Sequence, residues 1–128
     1  MGDFIDLVQK RRSIYHLGNQ PVLSQEAIAN LIKQAVMYCP SAFNSQSARV
    51  IVLFGQAYQE LWQIVEDKLK PLVAEDKFVQ TKQKIDSFRR GLGTVLFFED
   101  MTVVADLQKK YVPYQNNFPL WSLQSSGI

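Results

Sequence analysis

Apolar side chains recur every three or four positions in five stretches of the chain, a spacing that places them on one face of an α-helix. Phe4, Leu7 and Val8 form the first such face, and Ser24 is an N-cap residue for the second helix. The predicted helices cover residues 3–12, 24–38, Leu61 to Pro71, 74–90 and the residues opened by Glu99 and Asp100. The polar stretch 74–90 is predicted to be a helix, or a pair of helices, with one side in water.

Two short runs are instead apolar at consecutive positions, which is typical of strands buried on both faces. Arg49–Phe54 is dense in β-branched residues and is closed by Gly55, and Thr94–Phe98 follows Gly91 and Gly93. The alternation of helices with these strands indicates a layered domain of the α+β or α/β class.

Length and composition are those of one ordinary globular domain over residues 1–128, with 47% hydrophobic and 20% charged residues. The net charge of +2 is too even to indicate nucleic-acid binding. The single cysteine excludes an internal disulfide and leaves no metal-ligand spacing. No secretory signal and no apolar run long enough to span a bilayer is visible. We therefore expect a soluble, cytoplasmic protein without a metal site.

Arg11, Arg12 and Ser13 stand where the first helix gives way to a loop. Two guanidiniums and a hydroxyl can surround a phosphate dianion with charge-assisted hydrogen bonds. The alternative is a solvated basic helix end, which the helix dipole favours. These three residues alone leave both interpretations open.

The segment Pro40–Ser47 is polar and turn-prone, and it joins the second helix to the first strand. Small side chains at Ser41 and Ala42 let the backbone approach a flat ring, and the amides of Asn44 and Gln46 can meet both donors and acceptors on a heteroaromatic edge. The alternative is an ordinary polar connection between a helix and a strand.

Four motifs in order make the chain resemble the nitroreductase family, and in particular its fatty-acid-repression-mutant-like branch, which includes copper-induced nitroreductases. They are Arg-Arg-Ser-Ile-Tyr at 11–15, Pro-Ser-Ala-Phe-Asn-Ser-Gln-Ser at 40–47, Gly-Thr-Val-Leu-Phe-Phe-Glu-Asp at 93–100 and Asn-Phe-Pro-Leu-Trp-Ser at 117–122. The resemblance implies an α+β fold, a three-layer sandwich whose central, mostly antiparallel sheet is flanked by helices. Family members generally continue beyond the region matched here, so the fold is expected to be C-terminally incomplete.

The resemblance also implies a homodimer that binds two FMN molecules in the subunit interface. Residues at the FMN phosphate and ribityl chain would be Arg11, Arg12 and Ser13, with Tyr15 at a place where many relatives carry a basic residue. Residues reaching FMN from the other subunit would be Pro40, Ser41, Ala42, Asn44 and Gln46.

The activity implied by the family is NAD(P)H-dependent reduction of nitroaromatics or quinones, by ping-pong hydride transfer through N5 of the flavin. The flavin carries that chemistry, so no residue is predicted to be catalytic. His16 and Cys39 are predicted to be structural, and Trp62, Phe97 and Phe98 are predicted to be core side chains.

Two other functions remain open. One is a non-catalytic flavin-binding or dimerisation remnant of the family, because the family's C-terminal elements are missing from the matched region. The other is a small nucleic-acid-binding domain that uses Lys10, Arg11, Arg12, Arg89 and Arg90, which lacks a recognition-helix or aromatic-platform signature.

Overall fold

The computed structural model describes residues 3–111 and residue 116, and the predicted motif at 117–122 lies outside them. In chain order the elements are α1 (Phe4–Lys10), α2 (Gln25–Tyr38), a 3-10 turn (Ala42–Asn44), β1 (Ala48–Phe54), α3 (Gly55–Leu69), α4 (Glu75–Arg89), β2 (Gly93–Glu99) and α5 (Met101–Lys110). The predicted helices and strands are therefore confirmed as elements, and the α+β class with them.

Local capping chemistry sets where two of the helices begin. The Ser24 hydroxyl accepts a hydrogen bond from the backbone N–H of Ala27 at 3.1 Å, which confirms the predicted N-cap of α2. Asp100 caps α5 in the same way, accepting from the N–H of Thr102 at 3.0 Å. Glu99, predicted to open this helix with Asp100, instead ends β2.

The structure changes the start of one predicted helix and decides between one and two helices in another stretch. α3 begins at Gly55 rather than near Leu61, because the positive φ of Gly55 lets the chain turn from β1 directly into the helix. The stretch predicted as one or two helices is the single helix α4.

The chain divides into two compact units, and the first contains α1, α3 and α4. Here α3 packs on α4, with the rings of Trp62 and Phe88 5.3 Å apart. Tyr58 and Ile85 are buried in this core, and the Tyr58 hydroxyl donates a hydrogen bond to the carbonyl of Phe88. Desolvation raises the pKa of Tyr58 above its ordinary value of 10.0, so the hydroxyl keeps its proton.

The second unit contains α2, the 3-10 turn, β1, β2 and α5. β1 and β2 pair antiparallel, in a register that runs from Ala48 opposite Glu99 to Phe54 opposite Gly93. α2 packs against β1, and Val104 of α5 is buried. The predicted single domain over residues 1–128 stays a prediction.

The prediction that both strands are buried is wrong for the described residues. Ile51 is 48% exposed, and Phe97 and Phe98, predicted as core, are 57% and 49% exposed. The sheet described here has only two strands, and none of the residues in them is fully buried. The runs of apolar residues therefore predicted the two strands correctly, but not how far their side chains are buried.

Candidate cofactor site

The predicted phosphate residues follow the end of α1, outside any helix or strand. Arg11 is the C-cap of the helix, where its φ and ψ of −61° and 122° leave the helical region. One guanidinium nitrogen of Arg12 donates to the carbonyl of Arg11 at 2.8 Å. Arg11, Arg12, Ser13 and Tyr15 are all exposed, so their donors are accessible to a ligand. Their role at a phosphate stays a prediction.

The segment between α2 and β1 has an unusual backbone for a stretch without glycine. Phe43, Asn44 and Gln46 adopt positive φ angles of 54°, 53° and 50°. Left-handed backbone costs a non-glycine residue on the order of 1 kcal/mol or more, and it persists only where the surroundings enforce it. Such strain is concentrated at ligand-binding and catalytic sites. We call residues 41–47 the left-handed loop.

Hydrogen bonds inside the left-handed loop close it on itself. The Ser41 hydroxyl accepts from the backbone N–H of Gln46 at 3.1 Å, across five positions. The carbonyls of Ser41 and Ala42 accept from the N–H groups of Asn44 and Ser45 at 3.0 and 2.9 Å. The small Ser41, predicted to allow close approach of a ring, thus also shapes the backbone.

A cavity of about 440 Å³ lies between the end of α2 and this loop. Its lining residues are Val36, Met37, Tyr38, Cys39, Pro40, Ser41, Asn44, Gln46, Ser47 and Ala48. Four of the five residues predicted to bind the cofactor between Pro40 and Gln46 are among them, and Ala42 is not. The α2 residues Val36, Met37 and Tyr38 were missed, because their helical spacing indicates only an apolar face. They add apolar lining to the cavity beside the polar residues of the loop.

Arg49 and Asp100 connect the left-handed loop to α5. The Arg49 guanidinium donates to the carbonyls of Gln46 and Ala48 at 2.9 and 3.0 Å, and to a carboxylate oxygen of Asp100 at 3.0 Å. Hydrogen bonds from the N–H groups of Thr102 and Val103, with the charge of Arg49, hold the pKa of Asp100 below its ordinary value of 3.8. Asp100 is therefore ionised at neutral pH.

An aromatic contact fixes the other side of the loop. The Phe43 ring stacks on that of Tyr111, the C-cap residue of α5, with centroids 4.5 Å apart and planes 29° apart. The sequence offers no signal for this pair, since its members lie 68 positions apart.

The predicted site residues fall into two groups. Pro40, Ser41, Ala42, Asn44 and Gln46 belong to the second unit, where four of them share the cavity. Arg11, Arg12, Ser13 and Tyr15 belong to the first unit. Among the residues described, no cluster of His, Cys, Asp and Glu has the makings of a metal site, and no helix is long and apolar enough to cross a membrane.

Solved structures with this fold define the class of protein. The chain is 41% identical to the nitroreductase CinD of Lactococcus lactis in complex with chloramphenicol, with a TM-score of 0.78 over 98% of this chain and 62% of that one. A nitroreductase structure from Saccharomyces cerevisiae shares the fold at a TM-score of 0.81 and 23% identity, over 97% of this chain and 67% of that one. The fold is that of a nitroreductase.

The Nitroreductase family model matches residues 8–128, and the chain belongs to the nitroreductase family. Among curated relatives, it is 26% identical to the nitroreductase FRM2 of Saccharomyces cerevisiae over 98% of this chain and 63% of the relative. The chain thus spans less than two thirds of the length of FRM2 and of CinD. Family and fold together support an oxidoreductase function.

Proposed function

We propose that this chain functions as an FMN-dependent NAD(P)H oxidoreductase that reduces nitroaromatics or quinones. The observation that carries the proposal is the left-handed loop: four predicted FMN residues line its cavity, in a chain 41% identical to CinD over 98% of its length. A strained, closed loop at a cavity is the kind of feature that binding sites retain.

The donors and acceptors present suit FMN. Arg11 and Arg12 offer exposed guanidiniums for its phosphate, and Ser13 adds a hydroxyl. Asn44 and Gln46 offer exposed amides, which can meet both the donors and the acceptors of a flavin's pyrimidine edge. FMN, when bound, would carry electrons from NAD(P)H to the acceptor, while these residues bind and orient it.

The acceptor is proposed to be a flat aromatic molecule. CinD has been solved with chloramphenicol, nicotinic acid and 4-nitrophenol. The apolar wall of the present cavity, from Val36 to Tyr38, suits a ring of this kind. In keeping with the family, we propose a cytoplasmic homodimer in which the loop of one subunit and the Arg11–Tyr15 segment of the other meet the same FMN.

The phosphate assignment is tested by the double variant Arg11→Ala, Arg12→Ala. A hydrogen bond to a charged group contributes about 1.5–3 kcal/mol, and each 1.4 kcal/mol is about tenfold in affinity. Loss of both guanidiniums is therefore expected to weaken FMN binding at least about 100-fold, measured by fluorescence titration of the purified chain. The charge-matched control is Lys68→Ala, Lys70→Ala at the exposed end of α3, which is expected to bind FMN like the wild type.

The outcomes separate the parts of the proposal. Equal weakening in both double variants would reduce the effect to net charge, and unchanged FMN binding in the arginine variant would refute the phosphate assignment. A wild-type chain that binds no FMN would refute the flavin proposal as a whole.

A second candidate is a non-catalytic flavin-binding or dimerisation protein of the same family. It requires only a site that holds the flavin, and the loop cavity with the exposed Arg11 and Arg12 offers the groups for one. Anaerobic NADPH distinguishes the two. Bleaching of the bound flavin, followed by reduction of added 4-nitrophenol, supports the enzyme, and bound flavin that keeps its colour supports the binding protein.

A further inference from the structure

Phe43 and Gln46 hold a left-handed backbone that such residues avoid when unconstrained, and Asn44, which tolerates this conformation, lies between them. The hydrogen bond from Gln46 to Ser41 lies within the loop itself, so it cannot fix the loop relative to β1 and α5. An external anchor is needed for the cavity wall to keep one shape.

Arg49, the second residue of β1, provides a contact to the loop's last left-handed residue. One guanidinium nitrogen, Nη1, donates to the Gln46 carbonyl at 2.9 Å and to the Ala48 carbonyl at 3.0 Å. The other, Nη2, donates to Asp100 at 3.0 Å. A single planar group therefore ties the loop backbone to an acid 51 positions later in the chain.

Asp100 is itself held at three points. One carboxylate oxygen accepts from Arg49, and the other accepts from the N–H of Thr102 as the cap of α5. Its own backbone N–H donates to the carbonyl of Ser47, the last loop residue, at 2.8 Å. Because Ser47 is buried, this end of the loop has little room to move.

We propose that Arg49 and Asp100 are positioning residues, which hold the left-handed loop in the conformation that binds FMN. The inference rests on the proposed function, and it assigns to both residues a role beyond that of the cavity-lining groups. Neither residue lines the cavity, so their effect on a ligand is exerted through the Gln46 and Ser47 backbone.

The expected effect follows from the fraction of molecules whose loop is competent to bind. If loss of the anchor leaves about a tenth of the loops in the binding conformation, the apparent Kd for FMN rises about tenfold. Lysine cannot reproduce the arrangement, because an ammonium group lacks the planar fork that reaches two partners at once. Arg49 is about half exposed, so its loss should change global stability little.

The test uses Arg49→Lys, Asp100→Asn and the double variant in the full 128-residue chain. Asparagine caps helices as well as aspartate does, so Asp100→Asn keeps the α5 cap while removing the charge that Arg49 meets. Asp106→Asn is the matched control, since Asp106 is an exposed carboxylate of the same helix paired with Lys109. Measured for each are the FMN Kd, the thermal midpoint, and the hydrogen exchange of the Ser45 and Gln46 amides by NMR.

Support for the proposal consists of an FMN Kd raised about tenfold in Arg49→Lys, with faster exchange of the Gln46 amide, a thermal midpoint near wild type, and no change in Asp106→Asn. The double variant is expected to be no worse than the more affected single variant, because the two residues act as one unit. The proposal would be overturned if both single variants kept the wild-type FMN Kd and the wild-type amide exchange rates. It would also be overturned if the FMN Kd rose only as far as the thermal midpoint fell.

Failure of the proposed function gives a different result. A wild-type chain that binds no FMN refutes the flavin proposal, while the Gln46 exchange rates still decide whether Arg49 and Asp100 anchor the loop.

Discussion

At the scale of single residues, the Glu66 carboxylate of the first unit pairs with two cations. It meets Lys82 at 3.0 Å and Arg89 at 2.9 Å, which joins α3 to α4. The hydrogen bond from Lys82, then that from Arg89, holds the pKa of Glu66 below its ordinary value of 4.5. Such a carboxylate stabilises the fold above its unfolded-state pKa, and this stabilisation is lost as the pH falls through the lowered folded-state pKa.

Glu66→Gln is therefore expected to lower the free energy of unfolding at neutral pH, and to flatten its decline below about pH 4.5. Urea unfolding at a series of pH values measures both effects. Asp67→Asn is the control, because the neighbouring Asp67 carboxylate accepts a hydrogen bond from Gln63 rather than pairing with a cation. Parallel pH profiles for the wild type and both variants would contradict the prediction.

Residues whose role depends on local chemistry could be predicted from the sequence, and residues whose role depends on tertiary pairing could not. Ser24 is an N-cap because a hydroxyl before a helix satisfies a free N–H three positions later. The loop residues that line the cavity were found through a family motif. Arg49 gave no signal, because its link to Asp100 exists only once β1 and β2 are in register.

At the scale of elements, the pairing of β1 with β2 organises the second unit. The sequence predicted both strands, but consecutive apolar residues give no alternation from which to read a register, and a one-residue slip exchanges the two faces. The structure shows what restricts the register at one end. A Cβ on Gly93 would lie 2.6 Å from the Leu53 carbonyl oxygen and 2.7 Å from Cδ1 of Phe54.

Gly93→Ala is expected to lower the free energy of unfolding by about 1–3 kcal/mol, because the strand backbone must move to admit the methyl group. Denaturant unfolding followed by circular dichroism measures the change. Gly18→Ala, at a position with no atom within 4 Å of the added Cβ, serves as the control and should be nearly neutral. Equal stability of the two variants would show that the strand end accommodates a side chain.

At the scale of the whole molecule, apolar side chains lie exposed on the two-stranded sheet. Ile51 pairs with Leu96 and Phe98 pairs with Arg49, so Ile51, Leu96 and Phe98 share one face. An apolar residue is predicted to be buried, but the sequence does not say whether it is buried in the core or against another surface. The core prediction failed for Phe98 for this reason. The same face suits contact with further polypeptide, because Ile51 and Phe98 are both about half exposed.

The 128-residue chain is therefore expected to self-associate in a concentration-dependent way. Phe98→Ser is expected to weaken that association about tenfold or more, because burial of an aromatic ring contributes roughly 1.5–3 kcal/mol. Sedimentation velocity over a range of concentrations measures it. Leu72→Ser, at an exposed residue between α3 and α4, is the control. Association that is equally strong in all three proteins would place the contact elsewhere.

The register that Gly93 enforces has an effect at the opposite end of the sheet. Gly93 pairs with Phe54 where β1 ends, whereas Arg49 and Asp100 meet where β1 begins, roughly 20 Å away at 3.4 Å per residue. Asp100 directly follows β2, so a side chain at Gly93 that shifts β2 by one position along β1 would carry Asp100 away from Arg49. Gly93 does not line the cavity, yet a substitution there would alter the left-handed loop from the far end of the sheet. Screens for altered cofactor affinity should therefore recover changes at this glycine.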